Sequence, residues 1–145
     1  MNSKDFVTYE QALALKKLGF IEYCLYSYHK GVFDTIGNSY RSEDEVYVED
    51  LYISYNLLSK DKQYEDYVDA PTLAQAQKWL RKTKGWAIDP IFVHNNNKHW
   101  CCWITNMSDE SGHSDILFDN YYDSSEEALS AGITECLKLL EKDED

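Results

Sequence analysis

The clearest pattern of apolar and polar positions lies near the N-terminus, in the stretch VTYEQALALKKLGF. Apolar residues recur there at the spacing of one helix face: Ala12, Leu15 and Leu18. Thr8 precedes them and Gln11 stands three positions later, which is the spacing of a capping box. Gly19 can adopt the left-handed conformation that ends a helix, with Phe20 folding back on the last turn. The pattern predicts a helix between Thr8 and Gly19.

Two further helices are predicted downstream. In APTLAQAQKWLRKTKG, Pro71 suits a first helical position, Gly85 ends the pattern, and one face is apolar: Leu73, Ala76, Trp79 and Leu80. In SSEEALSAGITECLKLLEK, Ser124 and Glu127 have capping-box spacing. Its predicted buried residues are Leu129, Ile133, Cys136, Leu137 and Leu140.

Strand patterns lie between these helices. EYCLYSYHKGVFDTI predicts two strands around a His-Lys-Gly turn, because aromatic and β-branched residues dominate and the glycine supplies the turn conformation. WAIDPIFVHNNNKHWCCWITN predicts a hairpin with an asparagine-rich turn, and ILFD at 116–119 adds a third strand. Pro90 places its strand at a sheet edge or at a bulge, since proline has no amide hydrogen to donate.

Together these elements predict a single α+β domain over residues 1–145, with a small antiparallel sheet of hairpins packed against two or three helices. The order helix, glycine, aromatic residue and hairpin occurs twice, at KKLGF and at KTKGW, which suggests a helix-hairpin pseudo-repeat, although the order is common in unrelated folds. The secondary structure of residues 37–69 is the hardest to predict from the sequence. Positions 46–48 and 51–55 have the composition of strands, but the region can equally be an acidic, tyrosine-rich insertion.

The charge distribution restricts the classes of partner. The formal net charge is -12, which disfavours general binding to nucleic acid because phosphate backbones require positive potential. Nine acids and two lysines lie in residues 43–69, and twelve acids and two lysines lie in residues 108–145. The predicted helix at 72–84 instead carries four basic residues: Lys78, Arg81, Lys82 and Lys84. We therefore expect one basic strip on an otherwise acidic surface.

The N-terminal residues contain no apolar segment typical of a signal peptide, and no run of 18 apolar residues occurs. We therefore expect neither secretion nor a membrane span. The four cysteines fit a reducing compartment better than a disulfide framework, since two are adjacent and their spacing matches no small secreted scaffold. The high aromatic content, 14%, favours a packed fold.

Several phrases together carry a resemblance: VTYEQALALKKLGF, APTLAQAQKWLRKTKGWAI, HWCCWI and YYDSSEEALSAGITECLKLL. They are similar to a group of small uncharacterised (hypothetical) proteins of gut Bacteroidales bacteria and of their phages and mobile elements. The resemblance covers roughly half of the chain and little of residues 30–69. It implies a phage or mobile-element setting in the cytoplasm of a bacterial host cell, and it transfers no catalytic residue.

The densest potential chemistry is HNNNKHWCCW at 94–103. His94, His99 and Cys101 are ligand types that zinc uses, but no Cys-x2-Cys pair occurs, and adjacent strand residues point to opposite faces. His99-Trp100 followed by Asp119 or Asn120 resembles the histidine half of papain-like peptidases of the bacteriocin-processing type. The matching half, a cysteine at a helix N-terminus, is missing. We expect no metal, no cofactor and no catalytic residue.

The remaining candidate is a binding surface in the region from Tyr40 to Tyr67, which combines six tyrosines with many acids. The predicted contact residues are Glu43, Asp44, Glu45, Tyr47, Glu49, Asp50 and Tyr52. Alternatively the tyrosines line a sheet and the acids only maintain solubility. We expect a non-catalytic accessory protein that binds a host or phage protein and can inhibit a host protein through this surface. The alternatives are a structural or virion-associated phage subunit and a Cys/His-dependent hydrolase, and self-association into a homo-oligomer stays open.

Overall fold

The computed structural model describes residues 3–35, 54–94, 99–109, 115–117 and 120–143. The chain divides into two compact units: Phe6–Pro71, called the N-terminal unit, and Thr72–Asp145 with Met1–Asp5, called the C-terminal unit. Each unit combines helices with a three-stranded antiparallel sheet. The predicted α+β class is therefore confirmed, but the prediction named one small antiparallel sheet and the structure contains two.

The N-terminal unit begins with helix α1, Tyr9–Lys17. The predicted capping box is present: the Gln11 amide donates to the Thr8 hydroxyl at 3.1 Å, and the Thr8 amide donates to the Gln11 side chain at 2.8 Å. At the other end Gly19 has φ +99°, and the amide of the buried Phe20 donates to the Leu15 carbonyl at 3.0 Å. This is the predicted left-handed termination, and it places Phe20 in the core.

Strands β1, Tyr26–His29, and β2, Val32–Thr35, form the first hairpin. Its turn residues Lys30 and Gly31 have φ of 52° and 81°, and a two-residue turn with both φ positive has the twist that antiparallel strands prefer. The chain returns through helix α2, Tyr55–Leu58, a 3-10 turn at Lys62–Tyr64, and strand β3, Tyr67–Asp69. The order across the sheet is β2-β1-β3.

One strand prediction in this region is wrong. Tyr55 belongs to α2 and not to a strand over 51–55, because the Ser54 hydroxyl caps the helix by accepting from the Leu57 amide at 3.2 Å. A serine side chain that satisfies a free helix amide favours a helix start despite β-prone neighbours. Residues 46–48 and 51–53 lie outside the described part of the chain.

The C-terminal unit begins with helix α3, Leu73–Lys84. Thr72, not Pro71, is its cap: the Gln75 amide donates to the Thr72 hydroxyl at 3.0 Å, so Pro71 lies before the helix and not at its first position. The predicted apolar face is buried, with Leu73, Ala76, Trp79 and Leu80 all in the core. Gly85 ends the helix with φ 73°, as expected.

The second sheet contains β4, Trp86–Phe92, β5, Trp100–Asn106, and β6, Asp115–Leu117, in the order β4-β5-β6. Pro90 therefore lies on an edge strand, as predicted. Helix α4, Ser125–Asp143, packs on β4 and β5, and the Glu127 amide donates to the Ser124 hydroxyl at 3.1 Å. Three of the five predicted core positions of α4 are buried: Ile133, Cys136 and Leu137. Leu129 and Leu140 are half-buried.

The predicted repetition of helix, glycine, aromatic residue and hairpin is present in both units, and the aromatic residues Phe20 and Trp86 are both buried. The third strands are placed differently. β3 joins the first strand of its hairpin, whereas β6 joins the second strand of its own. The likeness between the units therefore extends to the helix and hairpin only. None of the helices in the described ranges is both long enough and apolar enough to cross a lipid bilayer.

Candidate functional site

Half of the tyrosines in the region from Tyr40 to Tyr67 fall in the described part of the chain. The predicted contact residues Glu43, Asp44, Glu45, Tyr47, Glu49, Asp50 and Tyr52 lie outside it. Tyr55, Tyr64 and Tyr67 lie inside it, and all three are half-exposed. The candidate surface can therefore be built upward from these three residues.

The three tyrosines join His29 in a continuous row of rings, called the ring row below. The ring of His29 stacks on Tyr67 with centroids 4.2 Å apart and an interplanar angle of 5°. Tyr67 stacks in turn on Tyr55 at 4.4 Å and 21°. Tyr64 closes the far end, with its ring centroid 5.8 Å from that of Tyr55 and 6.2 Å from that of Tyr67. Residues from β1, the 3-10 turn, α2 and β3 thus form one half-exposed aromatic surface.

Stacking of this kind makes the ring row a rigid surface. Stacked aromatic pairs are favourable when the rings are offset, because the negative face of one ring then meets the positive edge of the other. Such pairs contribute about 0.5–1.5 kcal/mol in addition to the free energy from burying their surface. The faces of His29, Tyr67 and Tyr55 lie against each other, and all four residues of the ring row are half-exposed. That surface offers large contact area and hydrogen-bonding groups with few rotatable bonds to immobilise.

A buried polar network fixes α2, and with it Tyr55, against β3. The fully buried Asp69 carboxylate accepts from the amides of Tyr55 and Asn56, both at 3.0 Å, and from the Ser54 hydroxyl at 3.4 Å. The Asn56 side chain accepts from the Asp69 amide at 3.0 Å and donates to the Phe20 carbonyl at 2.9 Å. One carboxylate and one carboxamide therefore join the start of α2, the end of β3 and the end of α1.

Burial raises the pKa of Asp69 from 3.8 to about 6, because the charged carboxylate loses its hydration. The two backbone amides, the Ser54 hydroxyl and the nearby Lys16 ammonium act in the opposite direction, since each favours the ionised form. No side-chain nitrogen or oxygen buried within the described ranges lacks a hydrogen-bond partner. Asp69 therefore acts as a structural carboxylate that holds the ring row in place.

Exposed apolar side chains are concentrated on the N-terminal unit. Three of them alternate along the extended segment after α1, with exposed fractions of 51% for Ile21, 62% for Tyr23 and 37% for Leu25. Val32 at the hairpin turn is 67% exposed. Others are Tyr9 and Leu13 on α1 and Leu57 and Leu58 on α2. Exposed apolar residues become evidence of a binding face only where they form one contiguous patch.

Charged residues border the ring row at its 3-10 turn. The acids Asp61, Glu65 and Asp66 are exposed there, together with Lys60 and Lys62. Three exposed acids therefore stand against two exposed lysines at this end of the ring row. Residues 43–50, which lie outside the described ranges, contain five acids and no base in the sequence.

The HNNNKHWCCW stretch forms part of the β4–β5 hairpin, with residues 95–98 outside the described ranges. Phe92, which is 52% exposed, lies at the centre of an aromatic cluster. Its ring centroid is 5.4 Å from that of His94, 5.5 Å from that of His99 and 5.5 Å from that of Trp100. Both histidines are exposed and rest against Phe92, whereas Cys101 is buried in β5.

The described residues contain no group of three or more His, Cys, Asp or Glu side chains that could hold a metal ion. The rings of His94 and His99 both contact the ring of Phe92. The two histidines do not form a metal-binding group with Cys101 in the described residues. His113, the fourth histidine, lies outside the described part.

All four cysteines are buried and none is in a disulfide. Burial raises the pKa of Cys102 and of Cys136 to about 12, so both are held as neutral thiols at ordinary pH. Cys24 donates its S–H to the Glu22 carbonyl at 3.6 Å. Because the thiolate is the nucleophile, these environments make Cys102 and Cys136 packing groups and not reactive centres.

A cavity of about 430 Å³ lies in the C-terminal unit where α3 and α4 begin. Its lining residues are Asp5, Thr72, Leu73, Ala74, Pro90, Ser125, Glu126 and Leu129. Helix N-termini attract anions, but the two carboxylates of Asp5 and Glu126 repel them. The cavity therefore lacks the charge pattern of an anion site, and it contains no nucleophile paired with a base.

Sequence reasoning placed the candidate surface in the region from Tyr40 to Tyr67, but the contact residues that it named do not include Tyr55, Tyr64 or Tyr67. It also missed His29 and the network around Asp69. The only local signal for His29 was its place directly before the Lys-Gly turn. Asp69 is the last residue of β3 and stands shortly before α3. An acid at such a place in a sequence is usually solvated. Nothing in the neighbouring sequence indicates that Asp69 accepts from helix amides 13 and 14 positions upstream.

Comparisons with protein-family models, with curated proteins and with solved structures find no match to this chain.

Proposed function

We propose that this protein is a non-catalytic accessory protein of a phage or mobile element, and that it binds another protein through the N-terminal unit. The observation that carries the proposal is the ring row of His29, Tyr67, Tyr55 and Tyr64. Rigid, half-exposed aromatic side chains supply most of the binding energy in many protein interfaces.

The surroundings of the ring row support a basic site as the partner surface. Exposed acids lie at its 3-10 turn. In the sequence, residues 43–50 are acidic without a compensating base, and we place them beside the ring row as part of the proposal. Acidic side chains around an aromatic centre accelerate association with a basic surface and reject acidic ones. A host protein with a basic site, such as one that ordinarily holds a polyanion, fits this chemistry, and occupation of that site would inhibit it.

The buried network makes the surface suitable for tight binding. Because Asp69 and Asn56 fix α2 against β3, the rings are ordered before a partner arrives. A preorganised surface loses less conformational entropy on association than a flexible one, so more of the contact energy appears as affinity.

The test is binding to host proteins with matched tyrosine variants. Purified protein captures partners from host lysate, and the affinity for each captured protein is then measured with the pure components. Tyr64→Ala removes the end of the ring row and should weaken binding by about tenfold to thirtyfold, because aromatic residues that dominate an interface contribute about 2 kcal/mol. Tyr121→Ala is the control, since Tyr121 is also an exposed tyrosine, 39%, but belongs to the C-terminal unit.

Charge reversal at Glu43, Asp44 and Glu45 should lower the association rate constant and make it depend less on salt. The dissociation rate constant should change less. Circular dichroism and thermal unfolding confirm that each variant is folded. Equal affinities of the Tyr64→Ala and Tyr121→Ala variants for every partner would remove the ring row as the binding surface. Recovery of the protein only with phage particles would favour a virion-associated subunit instead.

A further inference from the structure

The exposed side of α3 is a cluster of positive charge on a strongly acidic protein. The helix carries four basic residues and no acid, in a chain whose formal net charge is -12. Lys78, Arg81 and Lys82 are all exposed and follow each other at the i, i+3 and i+4 positions, so their side chains share one surface of the helix. Within the part of the chain that the structure describes, these three form no ion pair.

Helix α4 also carries two lysines, but acids stand near them in the sequence. Lys138 and Lys142 are exposed and also lie four positions apart. Glu135 and Glu141 stand three positions from Lys138, where opposite charges on a helix interact. The α3 cations have no such neighbours on their own helix, and only the interaction of the last-turn cations with the helix dipole opposes their charge.

The fourth base is used differently. The Lys84 ammonium lies 5.9 Å from the centroid of the Trp79 ring, so it makes a cation–π contact within the helix. Lys78, Arg81 and Lys82 are therefore the cations that remain available for a partner. They are called the α3 strip.

We propose that the α3 strip is a docking site for a carboxylate-rich segment of another protein. Charge complementarity carries the assignment: Arg81 can bind a carboxylate with two parallel hydrogen bonds, while Lys78 and Lys82 act as point charges on either side. This surface lies on the C-terminal unit and is distinct from the ring row, so the inference does not depend on the proposed function.

A short acidic protein segment fits the α3 strip better than nucleic acid does. Exposed charges act over about one Debye length, which is about 8 Å at physiological salt. A few carboxylates can therefore contact the strip and avoid the acidic remainder of the protein. A nucleic acid has a continuous line of phosphates, and the net charge of -12 opposes the approach of that longer line to the protein.

The experiment measures binding of labelled poly-L-glutamate to the full chain at about 50 mM and about 200 mM salt, with a DNA duplex as the second probe. The test variant is Lys78→Gln with Lys82→Gln, and the control is Lys138→Gln with Lys142→Gln. Both double variants change the net charge equally, and both remove exposed lysines four positions apart on one helix.

The α3 double variant should weaken poly-L-glutamate binding by about threefold to thirtyfold at low salt, as expected for the loss of two exposed charge contacts. The α4 double variant should change it by less than about twofold. Thermal unfolding of both variants verifies the fold. Equal losses in the two variants, no binding of poly-L-glutamate by the unaltered protein, or tighter binding of the duplex than of poly-L-glutamate would each overturn the proposal.

Discussion

Gly132, in the middle of α4, packs closely against the second sheet. A Cβ atom at this position would lie 2.3 Å from Cys102 Sγ, 2.7 Å from Ile88 Cγ2 and 3.3 Å from Cys102 Cβ. Non-bonded carbon contacts are ordinarily 3.5–4.0 Å, so the helix or the sheet must move by about an ångström to accept alanine. The absence of a side chain at Gly132 is therefore what lets α4 approach β4 and β5.

The substitution Gly132→Ala sets two effects of opposite sign against each other. Alanine stabilises a helix interior by about 1 kcal/mol relative to glycine. Extra volume in a packed core costs about 1–3 kcal/mol, and here both opposing residues are buried, with Cys102 0% and Ile88 1% exposed. Since two contacts are far below normal separation, the upper part of that range applies. We expect a net destabilisation of about 1–2 kcal/mol.

The assay is urea unfolding followed by circular dichroism, with the free energy of unfolding extrapolated linearly to zero urea. A double-mutant cycle assigns the cause. Cys102→Ala removes the Sγ atom that lies nearest to the added Cβ, so Gly132→Ala should cost less in that background, by about 1 kcal/mol. Thr134→Ala, at a half-buried position of the same helix, serves as the reference substitution.

Stabilisation of the protein by Gly132→Ala, in the amount that helix propensity alone gives, would refute the close approach of α4 to the sheet. Additive effects of Gly132→Ala and Cys102→Ala would place the strain somewhere other than at the sulfur.

Three further predictions follow from the described contacts. Because the pKa of Asp69 is 3.8 in its ordinary state and about 6 when folded, the folded protein binds this proton more tightly. The stability that this proton contributes is complete below about pH 4 and is lost as the pH rises through 6, by up to about 3 kcal/mol. The free energy of unfolding of the unaltered protein, measured relative to that of Asp69→Asn, should therefore fall between about pH 4 and pH 6. Cys102 and Cys136 should react with a thiol reagent at about pH 8 only after denaturant is added, and fast labelling in the folded protein would contradict their burial. Thr8→Ala should lower the free energy of unfolding by about 1 kcal/mol through loss of the cap on α1, whereas Thr8→Ser should change it little.

The sequence was sufficient to predict a helix end or a turn where the residues that form it are near one another in the chain. The capping box of α1 joins Thr8 to Gln11, and the left-handed Gly19 brings Phe20 back within the same turn. The Lys30-Gly31 turn forms because a glycine tolerates positive φ at the second position. These features depend on local backbone sterics and local hydrogen bonds, which a stretch of a few residues specifies completely.

The two wrong predictions, Pro71 as the first position of α3 and a strand over 51–55, arose where two local signals competed. Pro71 and Thr72 are both acceptable near a helix start, and the hydroxyl that satisfies the Gln75 amide decided in favour of Thr72 as the cap. Near 51–55 the β-prone composition suggested a strand, but Ser54 began a helix whose amides the carboxylate of Asp69 also accepts. That second stabilisation comes from a residue on another element and is invisible in the local sequence.

The sequence by itself determined α1, α3, α4 and the two hairpins, the surplus of negative charge and the basic helix within it. It did not determine α2 or β3. Only the tertiary structure decided what those elements bring together. The ring row assembles from residues 29, 55, 64 and 67, and Asp69 reaches its amide partners across the unit. Contacts of this kind depend on how side chains pack between elements, where specific shape and burial select one arrangement among the many that the same hydrophobic pattern allows.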